Sequence, residues 1–285
     1  MGRTIFEAYN DLKKQLQGAG IEDSIFEAKQ IIKHITGYSN SQILMKYNEK
    51  LTEFQENNLT VIIKQRQVRY PLQYILGKWD FFGRSFFVGP GVLIPRPDTE
   101  TVIECCKEAL KGKEKPQILD LCSGTGCIGI TLGAELKESK VICLEKYMEA
   151  IDYIIKNIAH NESFNVTPLQ GDVFEGTAAD GKYDLIVSNP PYVTAQEMTQ
   201  LQPELAFEPE TALLGGEDGL DFYRVITEKY KGALSEGGTL LFEIGAAQGE
   251  AVARIMKEQG FTNVEIRKDL AKNDRVVFGT VKGIQ

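Results

Sequence analysis

The chain has 285 residues, 42% hydrophobic and 25% charged, which are the proportions of a soluble globular protein with room for one large or two modest domains. A net charge of −8 and a pI near 5.1 exclude a chain that grips nucleic acid by bulk electrostatics. No apolar run reaches the length of a membrane span, and Met1 to Glu7 carries no apolar signal-peptide core, so neither membrane insertion nor export is expected.

The charge is uneven. Residues 1–80 hold 11 Lys and Arg against 9 Asp and Glu, so the negative excess sits on the remainder. The N-terminal part could face a partly anionic partner, or simply be a solvated surface. The five cysteines, Cys105, Cys106, Cys122, Cys127 and Cys143, form no C-x-x-C, and only His34 and His160 could join them. No metal site is expected, and reduced thiols in a cytoplasmic protein are.

Residues 4 to about 70 read as helices. Thr4 with Glu7, Ser24 with Glu27, and Thr52 with Gln55 each match a capping box. Ile5, Ala8, Leu12 and Leu16 make one apolar stripe, and Ile25, Ala28, Ile31, Ile32 and Ile35 another. A short third helix near Ser41–Tyr47 precedes a fourth with Phe54, Leu59, Ile62 and Ile63. These stripes predict the core of a small helical bundle. A bundle without catalytic residues suggests partner recognition, or a lid or stabilising cap.

Aromatics around Gly83-Arg84 then predict a β-hairpin ending at Gly89-Pro90-Gly91. The stretch Leu93-Ile94-Pro95-Arg96-Pro97-Asp98-Thr99-Glu100 is held extended by its prolines, and Asp98 or Thr99 is placed to cap a helix running to about Leu110. Arg96 on so stiff a loop could border a ligand.

From Lys115 the pattern alternates. Strands are predicted at Gln117–Leu121, Val141–Leu144, Val166–Leu169, Tyr183 to Asn189 and Thr239–Ile244. Helices are predicted at Cys127–Leu136, Tyr147–His160, from Leu220 to about Leu234, and about Gln248–Gln259. Two closing strands, near Asn263–Arg267 and Arg275–Val281, suggest an antiparallel edge. The fold class is therefore α/β, a doubly wound Rossmann-like sheet with an antiparallel edge, preceded by the helical bundle.

Ligands of such sheets bind at the C-terminal ends of the strands. The first strand ends in Asp120-Leu121-Cys122-Ser123-Gly124-Thr125-Gly126, where the glycines let backbone approach a ligand. The spacing is neither a dinucleotide G-x-G-x-x-G nor a P-loop. Glu145, ending the second strand, can accept ribose hydroxyls. Asp172, after the third, can accept an adenine amino group, with Val173 beside the ring. The fourth ends in Asn189-Pro190-Pro191-Tyr192. Its Asn189 oxygen and Pro190 carbonyl can each accept one N–H of a planar –NH2, and Tyr192 offers it a flat face. Such a nitrogen is a poor nucleophile, so holding it in line with a methyl donor is what a transferase must supply. The ligand that fits all four strand ends is S-adenosylmethionine.

Nearly the whole chain resembles the release-factor glutamine methyltransferases, the PrmC/HemK family. The resemblance runs through Pro71-Leu-Gln-Tyr-Ile-Leu-Gly77, Ile94-Pro-Arg-Pro-Asp-Thr-Glu100, the Asp120–Gly126 loop, Ser188-Asn-Pro-Pro-Tyr192, Glu208-Pro209, Gly215-Gly216, Asp218–Arg224, Glu243-Ile-Gly245 and Asp274–Gly279. It implies a class I S-adenosylmethionine-dependent methyltransferase acting on the glutamine of the Gly-Gly-Gln motif in class I peptide-chain release factors. It implies residues 1–75 as a release-factor-recognising domain, 76–97 as a β-hairpin linker and 98–285 as the methyltransferase domain. A monomer is expected, without direct nucleic-acid binding. Cofactor contacts are assigned to Cys122, Ser123, Gly124, Thr125, Gly126, Glu145, Asp172, Val173 and Asn189. Substrate contacts are assigned to Asn189, Pro190, Pro191, Tyr192 and Arg96, with Asn189, Pro190 and Tyr192 catalytic. Two positions depart from the family pattern: Cys122 stands where the first loop glycine is common, and Glu145 where Asp is. The rival readings are a ribosomal-protein glutamine methyltransferase and an adenine-N6 nucleic-acid methyltransferase. The Asn-Pro-Pro-Tyr loop is shared with both. The acidic chain speaks against the second, which needs a basic base-flipping surface.

Overall fold

The computed structural model describes residues 2–176 and 181–282, so the outermost residues of the expected domains, 1 and 283–285, lie outside it. The chain divides into two compact units, Met1–Gly77 with Pro203–Phe207, and Lys78–Gln202 with Glu208–Gln285.

The first unit is helical: α1 (Ile5–Gly18), α2 (Ser24–Thr36), α3 (Asn40–Met45), α4 (Glu53–Gln67) and the short α5 (Leu72–Leu76). Thr4 and Thr52 close reciprocal capping boxes with Glu7 and Gln55, and Ser39 with Gln42 forms a third that the sequence reading did not single out. The box expected at Ser24 does not form. Ser24 is already helical, its N-cap is Asp23, and Glu27 instead binds Arg66. That Arg is fully buried, so its charge needs partners. Its guanidinium donates to both Glu27 oxygens at 2.7 and 2.8 Å, to the Tyr70 carbonyl and to Glu204. Breaking such a buried pair costs far more than a surface one, so Glu27 serves the core rather than the helix end.

The core of the bundle is Ile5, Ala8, Leu12, Leu16, Ala28, Ile31, Ile32, Leu59, Ile62 and Ile63. Ile25 and Phe54, expected in the stripes, are exposed, each in the first turn of its helix.

The second unit begins with the hairpin β1 (Lys78–Phe81) and β2 (Arg84–Phe87), paired antiparallel across Phe82-Gly83. The hairpin was expected as a linker, but it clusters with this unit because Phe81 and Phe86 are buried in its core. A 3-10 turn at Pro97–Thr99 leads into α6 (Glu100–Ala109). Neither Asp98 nor Thr99 caps α6 through its side chain. Asp98 pairs instead with Arg275, and Thr99 is buried.

The alternating region follows as β3 (Gln117–Leu121), α7 (Cys127–Glu135), β4 (Lys140–Glu145), α8 (Met148–His160), β5 (Val166–Gln170), β6 (Tyr183–Ser188), α9 (Asp221–Tyr230), β7 (Leu234–Glu243), α10 (Gly249–Glu258), β8 (Thr262–Lys268) and β9 (Asp274–Thr280). The sheet order is β5-β4-β3-β6-β7-β9-β8, parallel through β7, with β9 antiparallel to both its neighbours. One apolar cluster, with Ile103, Ile118, Ile130 and Ile154, fills one face; another, with Leu119, Ile186, Tyr223 and Phe242, fills the other. Chain order reverses between β3 and β6, and at such a switch point the loops leaving adjacent strands diverge and open a crevice.

Candidate active site

The loop after β3 turns sharply. Cys122, Gly124 and Gly126 have φ of 58°, 55° and 78°. The left-handed region suits the two glycines and strains the cysteine. The loop is held from behind: the Ser123 hydroxyl donates to the Asp120 carbonyl at 2.8 Å, and Asn157 Nδ2 donates to the Thr125 carbonyl at 2.9 Å. Asp120 is fully buried. Its Oδ2 accepts the Gly129 N–H at 3.0 Å, and burial pushes its pKa up to about 7. The loop's fixed position is therefore built from side-chain bonds to backbone groups and one buried carboxyl.

A cleft opens at the switch point, where small-molecule sites of such sheets are found. Cys122 and Gly124, Glu145, Asp172 and Val173, and Asn189 and Pro191 all line it, so all four strand ends meet in one place. A Cβ at Gly124 would meet nothing within 4 Å, so its backbone faces open space. Ser123, Thr125, Gly126, Pro190, Tyr192 and Arg96 are not part of the lining. The sequence reading missed Tyr147, Phe174 and Phe222, the aromatics of the wall, of which Phe174 and Phe222 meet edge to face at 4.9 Å.

The carboxylate of Glu145 is taken up by backbone N–H groups of two loops. Oε2 accepts the Gly124 N–H at 2.9 Å, and Oε1 accepts the N–H groups of Lys146 and Tyr147 at 2.7 and 3.1 Å. Of a carboxylate's roughly four acceptor sites, about one stays open. Asp172 accepts from Phe174 N–H at 2.9 Å and from Lys146 Nζ at 2.8 Å, bonds that hold its pKa below the usual carboxylate range despite partial burial.

The Asn189-Pro-Pro-Tyr loop is fixed by residues far along the chain. Gln248 Nε2 donates to the Tyr192 carbonyl at 3.0 Å, and Val193 and Gly215 bond backbone to backbone at 2.8 Å. Gly215 is needed for that approach, because a Cβ there would stand 2.6 Å from the Pro191 carbonyl oxygen. Burial raises the Tyr192 phenol to about 12, with Glu243, Arg275, Arg96 and Asp98 as its charged surroundings. Arg96 itself is bound to Glu208, whose other oxygen accepts the Ile94 N–H at 3.0 Å. This ion pair gives Arg96 a role in holding its loop, one no local pattern revealed. Among the described residues no group of His, Cys, Asp and Glu is arranged to hold a metal ion.

A sheet of this order, with a glycine loop, two acidic strand ends and an Asn-Pro-Pro-Tyr loop around one cleft, defines a class I S-adenosylmethionine-dependent methyltransferase. The chain is 39% identical to a release factor glutamine methyltransferase of Thermodesulfovibrio yellowstonii over 90% of this chain and 92% of that one. It is 35% identical to one of Clostridium acetobutylicum over 93% and 99%. The chain belongs to the release factor glutamine methyltransferase family. Residues 7–77 match the PrmC N-terminal domain and 98–217 the methyltransferase small domain. A methyltransferase from Pyrococcus furiosus shares the fold, with a TM-score of 0.53 at 18% identity, over 80% of this chain and 99% of that one.

Proposed function

We infer that this protein transfers a methyl group from S-adenosylmethionine to the side-chain amide nitrogen, N5, of the Gly-Gly-Gln glutamine in class I peptide-chain release factors. The observation that carries the reading is the convergence of Asn189 with Gly124, Glu145 and Asp172 on one cleft. When bound, the cofactor supplies an electrophilic methyl group and a thioether leaving group. The open acceptor site of Glu145 suits a ribose hydroxyl, Asp172 the adenine amino group, and Val173 with the wall aromatics the flat ring. Asn189 Oδ1 and the Pro190 carbonyl accept the two N–H bonds of the target amide. They thereby orient the nitrogen lone pair and favour the positive charge that develops on it. Proline contributes rigidity and no competing donor. The nitrogen then releases one proton.

Unit 1 is read as the release-factor recognition domain, about residues 1–75. Its exposed Ile25, Leu44, Met45 and Phe54 supply apolar surface for a partner. Release factors are cytosolic, and all five cysteines are free, which suits a reducing compartment. Methyl-labelled S-adenosylmethionine offered with an unmethylated class I release factor, ribosomal proteins or an adenine-containing oligonucleotide tests the assignment. Label on the release factor alone is expected. Label on ribosomal protein or adenine instead would transfer the assignment to a rival.

A further inference from the structure

We propose that Glu243 sets the orientation of the Asn189 carboxamide, accepting its N–H so that its oxygen is turned toward the substrate amide; the inference rests on the acceptor role of Asn189 given above. β6 and β7 are parallel with Ser188 opposite Phe242, so the next residues, Asn189 and Glu243, leave the sheet side by side. Glu243 is 2% exposed, and its Oε2 has no hydrogen-bond partner. A buried carboxylate oxygen left open is costly and calls for a reason. The side chains of Thr99 and Asn189 stand near enough to favour its ionised form, so Asn189 is a donor within reach of the open oxygen.

The chemistry of the pair gives that reason. The two ends of a carboxamide have nearly the same shape, so packing alone does not choose between them. An ionised carboxylate has acceptors only, and so it binds the –NH2 end and leaves the oxygen for the substrate. A protonated carboxyl can donate, and then it binds the oxygen and presents the wrong end. Burial pushes Glu243 up to about 7. Thr99, Asn189 and Arg275 pull it down and Asp98 pushes it up, while Tyr192, Tyr223 and Cys127 are the other titratable groups within its field. Turnover should therefore fall as pH drops through this range.

The test compares wild type, Glu243→Gln and Thr99→Ala. In wild type, kcat/KM for an unmethylated release factor should fall about tenfold per pH unit below about 7. Glu243→Gln, whose amide can bind either end of Asn189, should lose at least about tenfold in kcat at pH 8 and lack the acidic limb, with Kd for S-adenosylmethionine within about twofold by calorimetry. Thr99→Ala removes a group that lowers the Glu243 pKa and should move the limb to higher pH, which keeps the test open should the Gln variant fold poorly. The Asn189 side-chain N–H resonances, assigned by their loss in Asn189→Ala, should titrate with the same midpoint without any substrate and cease to do so in Glu243→Gln. A wild-type limb that survives in Glu243→Gln, an unshifted limb in Thr99→Ala, or resonances that do not titrate would overturn the proposal. A wild type inactive on release factor while the resonances still titrate would overturn the functional reading instead.

Discussion

Replacing Glu243 by Gln should make the protein more stable at high pH while impairing it as an enzyme. The carboxyl is held at about 7 against an ordinary 4.5, a shift of roughly 2.5 units, or about 3 kcal/mol at about 1.4 kcal/mol per unit. A folded pKa raised above the unfolded one contributes stability that is complete below about 4.5 and lost as pH rises through about 7. At pH 8 the wild-type fold therefore carries an ionised buried group that Gln replaces with a neutral isostere. Arg275 is not stranded by the change, since it keeps Asp98 and Asp269 at 3.2 Å each. The expected gain is about 3 kcal/mol at pH 8, shrinking below about 1 kcal/mol at pH 5, where the folded wild type is itself neutral. For a unit of this size that is roughly 6–12 °C in Tm at pH 8. Scanning calorimetry of both proteins at pH 5 and 8 measures it. A difference independent of pH, or a Gln variant less stable at pH 8, would refute the reasoning. Stability given up at a site in return for function is a common pattern in enzymes.

Three further outcomes are expected. Asn189→Ala should raise the barrier by at least about 3 kcal/mol, more than a hundredfold in kcat, with cofactor affinity almost unchanged; steady-state kinetics with calorimetry separates the two. Cys122→Gly should raise stability by up to about 1 kcal/mol in denaturant titration, because Gly accepts the φ of 58° that strains Cys. Gly129→Ala should lose about 1–3 kcal/mol in the same assay, since its Cβ would stand 2.4 Å from Cys143 Sγ and 3.0 Å from Asp120 Oδ2.

The sheet was legible because its strands are short apolar runs cut off by polar or glycine-rich ends, and the four ends that carry ligand chemistry all reached one cleft. Caps were legible where the only partners were local, as at Thr4 and Thr52, and misread where a distant charge competed. Glu27 went to Arg66 and Asp98 to Arg275, and an ion pair between residues far apart in sequence leaves no periodic trace. The same holds for Arg96 with Glu208 and for Gln248, whose side chain crosses to the Tyr192 carbonyl. Glu145 stands where the family commonly has Asp, whose side chain is one methylene shorter. What the sequence did not disclose is where the carboxylate goes, onto three backbone N–H groups. Glu243 offered a signal that was passed over: like Glu145, it is an acid ending an apolar strand.

The central claim is tested most directly by intact-mass and peptide-mapping analysis of an unmethylated class I release factor after incubation with this protein and S-adenosylmethionine. The account predicts a gain of one methyl group, located on the Gly-Gly-Gln glutamine. An unchanged release factor from an enzyme that still binds the cofactor would contradict it.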